Sequence, residues 1–102
     1  MPDLSVAPLA RDDLKAIGRY TQTTWGAAQR NAYLRAFAAA FEQLRDGAIT
    51  GRARDDIRES LLCYRCGKHV IFFRRNGAGD VEILRVLHER MDHENMDFDR
   101  RL

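Results

Sequence analysis

Residues 67–92 read GKHVIFFRRNGAGDVEILRVLHERMD, and the fold turns on this stretch. It holds two short apolar runs, 70–73 and 81–87, joined by Asn76-Gly77-Ala78-Gly79-Asp80. An Asn-Gly step between β-branched and aromatic runs predicts a hairpin, because glycine tolerates the positive φ of a tight reversal. The second run carries Arg85 in its middle and ends in His88, Glu89, Arg90, Met91 and Asp92. Such a hairpin delivers a group of charges to one end of a sheet, where recognition or chemistry is expected.

Working outward, residues 60–64 form a strand that Gly67 turns into the strand 68–74, and 81–87 completes an antiparallel meander. The last strand is apolar on both faces, with Val81, Ile83 and Leu87 against Leu84 and Val86. A strand of that kind is central and covered on both sides. Upstream, Ala10, Leu14, Ile17 and Thr21 recur at helical spacing and form one buried stripe over about 9–23. Pro8 suits the first turn, where its missing N–H costs nothing. Asp12 and Asp13 complement the helix dipole there. Gly26 closes this helix through a positive φ. Trp25 beside it is read as an indole capping the core, with a functional anchor as the alternative.

A second helix spans about 27–45, with Leu34, Phe37, Phe41 and Leu44 on one stripe and several alanines to raise propensity. The short break makes the pair an antiparallel helical hairpin. Residues 46–56 form a polar connector. Residues 93–102, HENMDFDRRL, are a candidate flexible tail, in which Met96, Phe98 and Leu102 could still dock on the sheet.

Several stretches in order carry a resemblance: DLKAIGRYTQTTWG, AYLRAFAAAFEQL, GRARDDIRESL, HVIFFR and EILRVLHERMD. Together they resemble the ParE-type toxins of the RelE/ParE superfamily, over roughly residues 4–92. The resemblance implies an α+β fold of order β-α-α-β-β-β, a helical hairpin packed on a small, mainly antiparallel sheet, with the first strand beside the last. It implies the toxin of a type II toxin–antitoxin module that inhibits DNA gyrase, is not an enzyme, and is neutralised by a cognate ParD-like antitoxin in a hetero-oligomer. DNA would then be reached only through the antitoxin. The alternative within the superfamily is a ribosome-dependent mRNA endoribonuclease of the RelE type.

Composition bounds these readings. The 102 residues form one domain, 1–102, with 45% hydrophobic and 31% charged residues. No apolar run approaches the ~20 residues of a membrane span, and no signal-peptide core follows Met1, so a cytoplasmic protein is expected. A net charge of +2 argues against a bulk nucleic-acid binder. Arginine nearly excludes lysine, which occurs only at Lys15 and Lys68. Cys63 and Cys66 lack the second pair that a structural zinc site needs, and are read as small apolar residues. No metal or cofactor is expected.

Apolar surplus on so small a chain suggests a partner-covered surface. The candidates for antitoxin binding are Tyr33, Phe37, Ala40, Phe41 and Phe73. The candidates for target contact are Arg74, Arg85, His88, Arg90, Met91 and Asp92 at the charged sheet end. RNA cleavage would need a base and an acid with cations on the phosphate, and Glu59, His88, Arg58, Arg74 and Arg85 could supply them. The acidic bias after His88 (Glu89, Asp92, Glu94, Asp97, Asp99) would repel RNA phosphate and favours gyrase inhibition. Arg85 within an apolar strand needs a carboxylate partner, expected at Asp92 or Glu89.

Overall fold

A computed structural model describes residues 2–98. The chain forms β1 (Leu4–Val6), α1 (Pro8–Trp25), α2 (Ala27–Arg45), β2 (Arg52–Ala53), β3 (Leu62–Cys66), β4 (His69–Arg75) and β5 (Val81–His88), then a single 3-10 turn at His93–Asn95. The sheet order is β1-β5-β4-β3-β2. Its one parallel pair is β1 with β5, in register Leu4↔Val81 to Val6↔Ile83; the other pairs are antiparallel. The architecture is α+β, two helices on a five-stranded mixed sheet, as expected.

Local chemistry sets these elements. Pro8 opens α1. Gly26, at φ +96°, both ends α1 and begins α2, so the hairpin reverses on one residue. In the β4–β5 turn the Asn76 side chain accepts hydrogen bonds from the N–H groups of Ala78 and Asp80, at 2.9 and 3.0 Å. The Asp80 carboxylate accepts from the Asp3 N–H at 2.8 Å, which ties the turn to the start of β1.

A bulge interrupts β4–β5. Phe72 faces Arg85 and Phe73 faces Ile83, which leaves Leu84 as the extra residue. Side chains in a regular strand alternate. Here Ile83 and Val86, an odd number apart, share one face because the bulge resets the alternation. The expected grouping of β5 is corrected accordingly: Val81, Ile83 and Val86 face the helices, while Leu84 and Leu87 face away.

The sheet therefore carries two cores. On the helix side Phe37, Ala40, Phe41 and Leu44 of α2, with Ala10 of α1, pack on Ile71, Phe73, Val81, Ile83 and Val86. On the other side Leu61, Cys63, Phe72, Leu84 and Leu87 are roofed by Phe98, with Ile57 and Met96 at the margin. Phe98 is only 2% exposed and meets the Phe72 ring edge-on at 5.2 Å. The cover on this face comes from the chain itself, so residues 93–98 are a docked segment and not a loose tail. Leu102 lies outside the described residues.

Three further expectations change. The polar connector holds β2, which pairs Arg52↔Cys63 and Ala53↔Leu62. β3 begins at Leu62 because residues 54–61 form a turn closed by the Arg54 N–H to the Leu61 carbonyl, with Ser60 at φ +63°. Trp25 caps nothing: it is 71% exposed.

Candidate functional site

The site forms where three elements meet: the end of α1, the start of α2 and the β3–β4 turn with the end of β5. Tyr33 of α2 places its hydroxyl inside the turn. That oxygen accepts from the Lys68 N–H at 3.3 Å and lies 2.6 Å from His69 Nδ1. A hydroxyl has one proton to give. Two acceptors are within its reach, His69 Nδ1 and the Cys66 carbonyl, the latter at 3.5 Å. Gly67 is required here: it sits at φ +61°, and a Cβ would stand 2.8 Å from the Tyr33 hydroxyl.

His69 and His88 are cross-strand partners, their rings edge-to-face at 5.3 Å. Burial first, and then the neighbouring His88, holds the His69 pKa below its ordinary value of 6.5. Burial likewise pushes the Tyr33 phenol up. His88 Nδ1 accepts from the Arg90 N–H at 3.1 Å, and its carbonyl accepts from Met91 N–H and His93 Nε2, each at 3.0 Å. His88 thus shapes the turn that follows β5. The Glu89 N–H bonds the Lys68 carbonyl at 2.9 Å, and Glu89 forms an ion pair with Arg65.

Above these groups opens a pocket of about 380 Å³, lined by Tyr20, Thr21, Trp25, Gln29, Tyr33, Gly67, Lys68, His69 and His88. Among the described residues the large exposed apolar side chains are Tyr20 (69%), Trp25 (71%) and Met91 (49%). Two of them wall this pocket and the third follows His88 by three residues. Tryptophan and tyrosine are residue types enriched at the energetic centres of protein–protein interfaces.

The expected target set is divided by the structure. His88, Arg90, Met91 and Asp92 lie at this end. Arg74 does not: it pairs with Glu82 beside the β4–β5 turn, at the far end of the strands. Arg85 is mid-strand, its side chain 11% exposed, and its partner is neither Asp92 nor Glu89 but Asp13 of α1. Asp13 takes both Nε and Nη2 of Arg85 at 2.8 Å and also accepts the Val86 N–H at 2.9 Å. It caps the edge of β5 where β1 has ended. Arg85 Nη1 bonds the Asp97 carbonyl at 2.7 Å, which anchors the segment carrying Phe98.

The expected antitoxin set is corrected too. Phe37 and Phe73 are sealed, and Ala40 and Phe41 are nearly so, because all four form the helix-side core. Only Tyr33 keeps partial access. Sequence reasoning missed Tyr20, Lys68 and His69, and gave Trp25 as a functional anchor only as the alternative to a core cap. One signal was available: Tyr20 and Trp25 are aromatic residues off the core-facing stripe of α1.

The candidate nuclease residues do not converge. Arg58, Glu59 and Arg74 share a cleft of about 50 Å³ on the face roofed by Phe98. His88 lies at the other end, and the Arg85 guanidinium is committed to Asp13 and Asp97. Cys63 and Cys66 are free and point to opposite faces of β3, which forbids a bridge between them. Among the described residues no group of three His, Cys, Asp or Glu could hold a metal, and no helix is long and apolar enough to cross a membrane.

Comparison with known proteins agrees with this architecture. The model of the family described as "ParE toxin of type II toxin-antitoxin system, parDE" matches residues 4–93. The chain is similar to Toxin ParE1 of Mycobacterium tuberculosis, 36% identical over 87 residues that cover 85% of this chain and 89% of the relative. It is 31% identical to Toxin ParE of Escherichia coli over 83 residues, 81% of each chain. It is 32% identical over 83 residues to Toxin ParE1 of Caulobacter vibrioides, covering 81% of this chain and 84% of that one. A solved structure titled "Chromosomal ParDE TA system from P. aeruginosa" superposes with a TM-score of 0.73 at 20% identity, over 86% of this chain and 96% of that one, and shares the fold.

Proposed function

This chain belongs to the ParE toxin family, and we propose that it arrests growth by inhibiting DNA gyrase until a ParD-like antitoxin binds it. In this reading the protein works in the cytoplasm by surface contact and without a catalytic step. The observation that carries the reading is the gathering of Tyr20, Trp25 and Met91 with Lys68, His88 and Arg90 at one end of the sheet. Aromatic and apolar anchors beside cations serve binding. Both imidazoles use Nδ1 within the fold: His69 hydrogen-bonds the Tyr33 hydroxyl and His88 accepts the Arg90 N–H. The dispersal of Glu59, Arg85 and His88 speaks against the RelE-type alternative. The surface that meets the antitoxin lies outside the sealed core residues Phe37, Ala40, Phe41 and Phe73.

The test uses purified protein in two parallel reactions. Gyrase with relaxed plasmid and ATP should lose supercoiling as toxin is added, while message on translating ribosomes stays intact. Codon-specific cleavage at substoichiometric toxin, with supercoiling untouched, would overturn the reading.

A further inference from the structure

The geometry points to the β4–β5 turn as a self-modifying site, in which the Gly77 nitrogen attacks the Asn76 side-chain amide and converts it to aspartate or isoaspartate. This inference is independent of the target and of the antitoxin.

The reaction needs a free nucleophile, a polarised carbonyl and room to close a ring. The Gly77 nitrogen is the nucleophile, and its N–H has no hydrogen-bond partner among the described residues. Within residues 76–81 every other N–H is bonded: those of Ala78 and Asp80 to Asn76 Oδ1, and the remaining three to main-chain carbonyls. Negative charge gathers on Oδ1 as the nitrogen adds to Cγ. The two N–H groups already aimed at Oδ1, at 2.9 and 3.0 Å, serve that charge as an oxyanion hole does. The leaving nitrogen, Nδ2, is oriented by the Asp80 carboxylate at 3.0 Å. Residues 76–78 are exposed, and a Cβ built on Gly77 would meet nothing within 4 Å. The peptide can therefore rotate toward Cγ without collision.

The step balances with water alone. Water takes the Gly77 proton as the N–Cγ bond forms. Water returns a proton to Nδ2 as the Cγ–Nδ2 bond breaks and ammonia leaves. A further water molecule opens the cyclic imide at one carbonyl or the other, giving isoaspartate or aspartate. The other two asparagines lack this arrangement. Asn31 precedes Ala32 inside α2, and the Met96 N–H after Asn95 is bonded to the His93 carbonyl.

The product lowers the net charge of +2 by one and sets a second carboxylate against Asp80, where an N–H donor stood. Asp80 also holds the Asp3 N–H at 2.8 Å, so the repulsion falls on the tie between the turn and β1. Isoaspartate in addition lengthens the main chain by a methylene at the head of the turn. Each folded molecule thus carries a limit on how long its first strand stays tied.

The purified protein is aged at neutral pH, and the tryptic fragment 76–85 is followed by mass spectrometry and by isoaspartate assay. Asn76 should lose its amide while Asn31 and Asn95 keep theirs. The same chain in concentrated urea, where the oxyanion hole is gone, should react at least ~5-fold more slowly. Gly77→Ala leaves the hydrogen bonds of the turn in place but restricts the backbone at residue 77, and should slow the loss at least ~10-fold. Asn76→Asp, which is the aspartate product, should melt about 4 °C or more below the unmodified protein. An Asn76 amide that survives as long as those of Asn31 and Asn95 overturns the proposal. A rate in urea equal to or above the native rate overturns the part played by the turn, and an unchanged Tm in Asn76→Asp overturns the loosening of β1.

Discussion

The Asp13 carboxylate holds two nitrogens of the Arg85 guanidinium at 2.8 Å each, across 72 positions of sequence, and thereby joins the first helix to the last strand. Both side chains are largely withdrawn from water, at 11% and 14% exposure. Removing one partner of such a pair leaves an uncompensated charge. We expect Asp13→Ala to cost about 3 kcal/mol. That corresponds to a fall in Tm of about 12 °C or more in a domain of this size. Asp13→Leu combined with Arg85→Met should recover most of the loss, which thermal melts of the three variants will show.

Phe98 closes the second core over Phe72, Leu84 and Leu87. Phe98→Ala should destabilise by about 3 kcal/mol through lost contact and a partly unfilled space. Urea unfolding measures the loss, and increased binding of an apolar dye would report the uncovered sheet face. An unchanged midpoint would mean that the 93–98 segment contributes nothing to stability.

Acidification should weaken the fold through His69. Its folded pKa lies below 6.5 because burial, and then His88, disfavours the charged ring. Between those two values the unfolded chain binds a proton that the folded chain refuses. Stability is therefore complete above about pH 6.5 and falls as pH drops below it, by at most ~1.4 kcal/mol per pH unit. His69→Gln keeps an acceptor for the Tyr33 hydroxyl and should flatten the dependence of Tm on pH in this window. The carboxylates act in a lower range, since Asp80, held down by the Asp3 N–H, titrates below the usual aspartate value.

Gyrase inhibition should respond to anchors at the pocket rather than to any acid or base. Trp25→Ala should weaken inhibition by about 2 kcal/mol, roughly 30-fold in the half-inhibitory concentration. Arg90→Ala with Met91→Ala should also weaken it. His88→Ala and Glu59→Gln should leave it largely intact. All of these can be ranked by titration in the supercoiling assay, with circular dichroism as the check on folding.

Much of this was written in local pattern. The apolar stripes gave both helices, because a helix buries every third or fourth residue whatever it packs on. Asn76-Gly77 gave the hairpin, because the turn chemistry is contained in four residues. The features that escaped the sequence are those set by distant parts of the chain. The bulge at Phe72 depends on how both strands pack, and nothing in β5 marks Leu84 as the extra residue. Arg85 called for a carboxylate, but proximity in sequence pointed to Glu89 and Asp92 while the helix geometry supplied Asp13. Phe98 sits in a charged stretch without periodicity, and only the shape of the uncovered sheet face explains its burial. At the site, an aromatic residue reads as core by default, and for that reason the anchor reading of Trp25 stood second to a core cap.

The pairing of β1 with β5 sets a timetable. Asp3 and Asp80 are 77 positions apart, and among the described residues β1 pairs with no other strand. At a synthesis rate of ~5–20 residues per second, the first strand waits at least ~4 s on the ribosome before its neighbour exists. Until residues 81–98 emerge, neither core can close, because β5 contributes to both. A nascent chain that still lacks this stretch therefore cannot complete either core, and the native fold is reached only with the last part of its translation.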